Sequence, residues 1–120
     1  MSRILVADDA MFMRVKIRTL LQAHGHAVVG EAEDGAVACR LYRDTAPDLV
    51  TMDITMPNMD GVRAVREIRK TDPKARILMI SAMGQQDMVI DAIAAGASGF
   101  VVKPFQDSTL LEAITRTLAI

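Results

Sequence analysis

The chain has 120 residues, 51% of them apolar, which suits one ordinary domain with a self-sufficient core, taken as residues 1–120. Fifteen acids against fourteen bases give a net charge of -1, and the rings amount to three Phe, one Tyr and no Trp. That balance argues against non-specific nucleic-acid binding, which needs a basic excess, and the few rings leave no base-stacking platform.

The lone Cys39 forms neither a disulfide nor a zinc cluster, and it suits a reducing compartment. No apolar run approaches the ~18 residues of a membrane span, and Asp8-Asp9 interrupts any signal-peptide core. The expected setting is a soluble, monomeric, cytoplasmic protein. Within the balanced total the acids are skewed, with eleven Asp and only four Glu. Asp favours turns, helix caps and hard-cation sites, so many loops would explain part of that skew.

Apolar runs and helical periodicities alternate five times. Arg3–Ala7 is the first predicted strand. It is followed by Met13, Ile17, Leu20, Leu21 and His24 at helical spacing, with Gly25 as a stop. A second strand over Ala27–Ala32 leads to a helix that opens near Asp34-Gly35 and turns Val37, Ala38 and Leu41 inward. Asp48–Met52 is the third strand. The next helix opens near Asp60-Gly61, carries Val62, Val65 and Ile68, and ends before Pro73. Arg76–Ile80 is the fourth strand, and a helix over about Gln85 to Ala95 buries Val89, Ala92 and Ile93 before Gly96. Gly99–Val102 is the last strand, and the last helix follows Pro104-Phe105 with Leu110, Leu111, Ile114 and Leu118. Continuous apolar strands alternating with helices imply an α/β, doubly wound parallel sheet of five strands, with right-handed crossovers and helices on both faces.

In such sheets ligands sit beyond the carboxyl ends of the strands, so the residues at those ends decide the function. They are Asp8-Asp9, Asp53, Ser81 and Lys103-Pro104. Singly, Asp9 would serve as a helix cap, Asp53 as a turn residue, Ser81 as another cap and Lys103 as a solvated cation. Together they point elsewhere. Three converging carboxylates raise one another's pKa unless a cation is present. Magnesium suits an all-oxygen set with a phosphate oxygen, whereas zinc would want the His or Cys that these ends lack. Asp53 fits a carboxylate nucleophile, Lys103 a point charge for phosphoryl oxygens, and Ser81 a hydroxyl donor.

Asp8-Asp9, the segment Met52-Asp53-Ile54-Thr55-Met56-Pro57 with Met59-Asp60-Gly61, Ser81-Ala82 and Lys103-Pro104-Phe105 resemble the receiver domain of two-component response regulators. The likeness runs along essentially the whole chain, with spacings of 44 residues from Asp9 to Asp53, 28 to Ser81 and 22 to Lys103. Within that family, Ser81-Ala82-Met83-Gly84-Gln85-Gln86 and Lys103-Pro104-Phe105-Gln106 are most similar to stand-alone chemotaxis regulators of the CheY type. The resemblance implies a flavodoxin-like strand order 2-1-3-4-5 and phosphorylation of Asp53 by a histidine kinase. It implies Mg2+ held by Asp9, Asp53 and the Thr55 backbone carbonyl, with Asp8 acting through water. It implies that Lys103 contacts the phosphoryl group through a cis Lys103–Pro104 bond. Ser81 and the aromatic Phe100 would form the switch, with plain packing as the alternative for Phe100. The output surface would be the fourth helix, fifth strand and fifth helix, and the partner the flagellar motor switch, with a phosphatase possible. Such a protein assists its own phosphorylation and is a signalling acceptor, not an enzyme acting on a separate substrate.

Three departures from the family pattern bear on that expectation. Ser81 replaces the common Thr and keeps the hydroxyl, Phe100 replaces the frequent Tyr and loses the phenol, and Thr55 and Met83 stand where some relatives carry polar or acidic groups. Slow self-dephosphorylation is expected. A phosphorelay intermediate or a receiver excised from a longer regulator is the alternative output. An Asp-nucleophile phosphatase is the rival from another class, weakened because position 55 is Thr and not a second acid.

The remaining residues of interest have plainer expectations. His24 belongs to the buried stripe of its helix, His26 to an exposed turn, and Cys39 to a small buried position. Met83 and Met88 are the methionines suited to a partner-facing surface. Arg63, Arg66, Arg69 and Lys70 form a solvated basic helix face.

Overall fold

A computed structural model describes residues 1–120, with five strands and five helices in strict alternation. They are β1 (Arg3–Ala7), α1 (Met11–Ala23), β2 (Ala27–Ala32), α2 (Gly35–Thr45) and β3 (Leu49–Asp53), followed by α3 (Gly61–Thr71), β4 (Ile77–Ala82), α4 (Gln86–Ala95), β5 (Gly99–Lys103) and α5 (Asp107–Leu118). All strand pairs are parallel and the sheet order is β2-β1-β3-β4-β5. The five strands, their parallel pairing and that order agree with expectation.

Alternation along each strand sorts the core into two layers, because successive side chains point to opposite faces. Leu5, Ala7, Val50, Met52, Ile77 and Met79 pack with Ala38, Cys39, Tyr42, Val62, Val65, Ile68 and Ala92, under α2, α3 and α4. Ile4, Val6, Leu49, Leu78, Ile80 and Val101 pack with Ile17, Leu21, Leu110 and Ile114, under α1 and α5. The central strands are buried on both faces, which is why their sequences read as unbroken apolar runs.

Two helices begin as their sequences suggest. Asp34 accepts a hydrogen bond from the Val37 N–H at 2.9 Å, and Asp60 accepts one from the Arg63 N–H at 2.8 Å. Helix α4 is the weakly held element, with no side-chain cap and only Ala92 fully buried. Its carboxyl end is fastened by Arg69, whose Nε and Nη2 donate to the Gly96 carbonyl at 2.8 and 2.6 Å. The basic face on α3 is therefore divided. Arg63 and Arg66 are exposed, while Arg69 spans to α4.

Several local expectations need correction. Strands β3, β4 and β5 run one or two residues further than their apolar runs, because the polar site residues still pair in the ladder. His24 is not on a buried stripe. It is exposed just past the α1 carboxyl end, with Nδ1 3.0 Å from the Leu20 carbonyl, because the helix stops at Ala23 and His24 takes a non-helical capping conformation. His26, expected in an exposed turn, is half-buried, and burial lowers its pKa. Ile93 is 44% exposed, and Met88 packs toward the core while Met83 stays exposed. Cys39 is buried as expected, and burial raises its pKa.

One close approach fixes the loop after β3. The Gly61 N–H donates to the Ile54 carbonyl at 2.7 Å, and a Cβ at Gly61 would fall on the Asp53 carbonyl oxygen. Only glycine lets the start of α3 pack this tightly against the end of β3. Gly61→Ala is expected to destabilise the fold by about 1–3 kcal/mol, read as a lower urea midpoint with unchanged slope.

Candidate phosphoacceptor site

The same alternation that builds the core aims the polar ends of the strands. Asp8 follows Ala7, Asp53 continues the parity of Leu49, and Lys103 continues that of Val101, so all three point toward α1 and α5. Ser81, Phe100 and Val102 have the opposite parity and fall on the α4 side. One sheet edge thus presents an ionic group on one face and a hydroxyl beside an aromatic on the other.

On the first face Lys103 Nζ lies 2.8 Å from Asp8 Oδ2 and 3.5 Å from Asp53 Oδ2. Asp8 is 1% exposed, and its other oxygen accepts the Ala10 N–H at 2.9 Å, so both of its oxygens are engaged. The β1–α1 turn is held from outside as well. Arg14 Nη1 donates to the Asp8 carbonyl at 2.6 Å, while Arg14 and Arg18 share Glu31 on β2. Asp9 is exposed beside them. Asp8, Asp9 and Asp53 each offer a carboxylate oxygen within 4.8 Å of the others. The structure brings together all three expected acids and Lys103.

Electrostatics follow from this crowding. Burial pushes the Asp53 carboxyl up to about 6, the Asp8 charge adds to the rise, Lys103 opposes it, and Asp9 raises it further. Burial alone would pull the Lys103 ammonium down, but the Asp8 and Asp53 carboxylates outweigh it and Lys103 titrates above its usual range. The donor set is entirely oxygen, with an anion held at a disadvantage by its neighbours. That chemistry fits a hard divalent cation and offers nothing soft for zinc. The acidic cluster is thus suited to hold a metal ion.

On the second face Ser81 is 1% exposed, while Phe100 is 51% exposed and lies along a groove of about 370 Å³ with Met83, Val89, Ile90 and Val102. Core packing, the alternative for Phe100, does not hold. The Lys103–Pro104 peptide is cis, as expected. Thr55 is exposed just past β3, and its hydroxyl oxygen accepts a hydrogen bond from Gln85 Nε2 at 2.7 Å. The sequence reading missed two residues. Arg14 reads as one more helix cation, and Gln85 as a polar helix start, because nothing local shows that each reaches back across the chain.

The fold and edge together define a class: a doubly wound α/β protein with an acidic, lysine-bridged pocket at its strand ends. Residues 4–115 match the family model described as "Response regulator receiver domain". The chain belongs to the response regulator receiver family. It is 60% identical to the chemotaxis protein CheY of Bacillus subtilis (strain 168), covering 97% of both chains. It is 52% identical to Protein CcdB of the same organism, covering 98% of each. Among solved structures it is similar to the CheX-CheY-BeF3-Mg+2 complex from Borrelia burgdorferi, with a TM-score of 0.90 and 34% identity, covering 95% of this chain and 87% of that one.

The raised Asp53 pKa carries a stability consequence with a definite sign. The native state holds a proton on Asp53 that the unfolded state, near 3.8, has already lost, so this group's contribution to stability is complete below pH 3.8 and is lost as pH rises through about 6. Asp53→Asn, which removes the disfavoured charge, is therefore expected to stabilise the metal-free protein at pH 7.5, by about 1–3 kcal/mol. That advantage should shrink on acidification below pH 6. Urea titrations of both proteins across pH 4.5–8 check this, and a gap that stays constant with pH would contradict it.

Proposed function

We propose that residues 1–120 form one receiver domain that takes a phosphoryl group on Asp53 from the phosphohistidine of a histidine kinase, and that the change of state alters binding to a chemotaxis partner, the flagellar motor switch. The observation that carries this reading is the placement of Asp53: a nearly buried carboxylate at the end of β3, flanked by Asp8 and Asp9 and contacted by Lys103. The similarity to CheY proteins and to a CheY solved with beryllofluoride and magnesium supports it, and CheX in that complex suggests a further class of partner.

The transfer is an in-line displacement in which an Asp53 oxygen attacks phosphorus, the phosphorus–nitrogen bond breaks, and histidine leaves. Asp53 must be ionised to attack, and with a pKa of about 6 it is mostly so at neutral pH. Lys103 stands 3.5 Å from the attacking carboxylate, where its ammonium neutralises charge on the incoming phosphoryl oxygens. Asp9, Asp53 and the Thr55 carbonyl would hold Mg2+, with Asp8, whose oxygens are both engaged, acting through water. Bound magnesium supplies further charge neutralisation for the phosphoryl oxygens. On the opposite face Ser81 offers a hydroxyl to a phosphoryl oxygen, and Phe100, outward here, has a groove to move in. Those two residues make the switch, which is a population shift between two arrangements.

The alternative output is a phosphorelay intermediate or a receiver excised from a longer regulator, neither of which addresses the motor. Binding separates the two. A motor-switch peptide is expected to bind more tightly when the protein carries beryllofluoride, and equal affinity in both states removes the motor assignment.

Acetyl phosphate with Mg2+ is expected to label the wild-type chain with one phosphoryl group by intact mass, and not the Asp53→Asn variant. Unchanged labelling of that variant would show that another residue is the acceptor, and repeated turnover of varied phosphoesters would favour a phosphatase. Because Thr55 and Met83 place no acid beside the phosphoryl group to orient water, the label is expected to decay with a half-life of minutes, not seconds.

A further inference from the structure

The end of the β3–β4 ladder leaves one backbone donor stranded beside Asp53. The Ile54 N–H donates to the Ile80 carbonyl at 3.2 Å, so a continuing parallel ladder would bring the Ala82 N–H to the Ile54 carbonyl. That carbonyl is already taken by the Gly61 N–H at 2.7 Å, the contact that the missing Cβ of Gly61 permits. Ala82 therefore ends β4 with a donor whose strand partner has been diverted, one residue past Ser81 and on the strand paired with Asp53.

Gln85 fills the vacancy. Its Oε1 accepts the Ala82 N–H at 2.7 Å, and its Nε2 donates to the Thr55 hydroxyl oxygen at 2.7 Å. One carboxamide thus joins the residue after Ser81 to the residue two beyond Asp53, across the mouth of the site. Gln85 also occupies the N-cap position of α4, yet its side chain makes no capping bond to the helix. Its polar atoms are committed to the strand ends, and α4 begins without the cap that would otherwise fasten its first turn.

We propose that Gln85 is a positioning residue, a latch that keeps the Ala82 N–H occupied in the resting state and must release it when a phosphoryl group stands on Asp53. This rests on Asp53 being the phosphoacceptor. A phosphoryl group places anionic oxygens at this edge, and a charged acceptor outcompetes a neutral carboxamide for the same N–H. Release costs the two carboxamide bonds and frees the turn before α4. The latch therefore opposes the phosphorylated arrangement, and its strength sets how readily that arrangement is reached. The departures expected to tune this receiver, Thr55 among them, then act partly through Gln85.

Beryllofluoride titrations at saturating Mg2+ test the latch, with wild type, Gln85→Ala, Thr55→Val, the double variant and Asp53→Asn as the control without an acceptor. Removing an intramolecular competitor is expected to tighten beryllofluoride binding by roughly threefold to tenfold in Gln85→Ala. Thr55→Val, which cuts only the anchor, should give a smaller gain in the same direction. The double variant should bind no tighter than Gln85→Ala, because both changes break one chain of hydrogen bonds. In metal-free protein the Ala82 amide resonance should shift in Gln85→Ala, a readout that general loosening of α4 would not confine to that residue. Equal or weaker beryllofluoride binding by Gln85→Ala, or fully additive gains, would overturn the latch. Wild type that binds no beryllofluoride, indistinguishable from Asp53→Asn, would overturn the phosphoacceptor reading itself. That outcome differs from tight wild-type binding left unchanged by Gln85→Ala, which overturns the latch alone.

Discussion

The Lys103 ammonium, 2.8 Å from one buried carboxylate and 3.5 Å from another, is the interaction on which the rest of this edge depends. Without a cation here, Asp8 would hold an unpaired charge at 1% exposure, a cost that folding rarely tolerates. Yet one ammonium faces three carboxylates, so full ionisation leaves the cluster two charges short of neutral. Burial first, and then the like charges of Asp8 and Asp9, raise the Asp53 pKa in the folded protein. A second cation would relieve the charge deficit, and a phosphoryl group, if Asp53 takes one as proposed, would renew it. The near-neutral net charge of the whole chain hides this local imbalance.

The two sides of the site are built to different tolerances. On the β3 side, Gly61 packs against the Asp53 carbonyl, and Asn58 in the same loop donates to Asp34 Oδ2 at 3.0 Å. Close backbone packing of that kind has few alternatives, so the carboxylate is held in place. On the β4 side the restraints are side-chain hydrogen bonds, exposed at Gln85 and part-buried at Arg69. Gln85 fastens the start of α4, Arg69 fastens its end, and Ala92 is the only fully buried residue between them. The exposed Gln85 hydrogen bonds are each worth about 0.5–1.5 kcal/mol net, so the start of this half can rearrange at modest cost. A fixed acceptor beside a movable helix is the arrangement a switch requires.

Most of this architecture was legible in the sequence because the sheet is central and covered on both faces. Burial on both sides makes strands read as continuous apolar runs, and parallel pairing then puts Asp8, Asp53, Ser81 and Lys103 at one edge without further information. The caps at Asp34 and Asp60 were equally readable, since their side chains act within three residues. The failures have a common cause. Whether Phe100 lies in or out is decided by the neighbouring α4, which leaves a groove over β5 that periodicity cannot reveal. His24 lies one residue past the end of α1, where periodicity no longer fixes exposure, and Ile93 sits at the margin of its helical stripe. Gln85 reaches Thr55 and Arg14 reaches Glu31, partners distant in sequence, so their residue types carry no local signal.

Magnitudes bear on how the proposed switch divides its work between the two faces. Phe100 is 51% exposed, so turning it inward would bury about half a phenyl side chain, roughly 1 kcal/mol of hydrophobic stabilisation. Moving a two-state population from 1:99 to 99:1 takes about 5.5 kcal/mol of differential binding. The aromatic therefore supplies only a small part, and as Phe it has no hydroxyl to add a hydrogen bond. In the proposed switch the larger part would come from groups that meet the phosphoryl oxygens: bound magnesium, Lys103, the Ser81 hydroxyl, and the Ala82 N–H once Gln85 lets it go. Since Asp8 and Asp53 engage Lys103 before any phosphoryl group arrives, its differential contribution is limited. The proposed switch would then lean on the β4 end, where the resting contacts are weakest, with Phe100 reporting the outcome more than driving it.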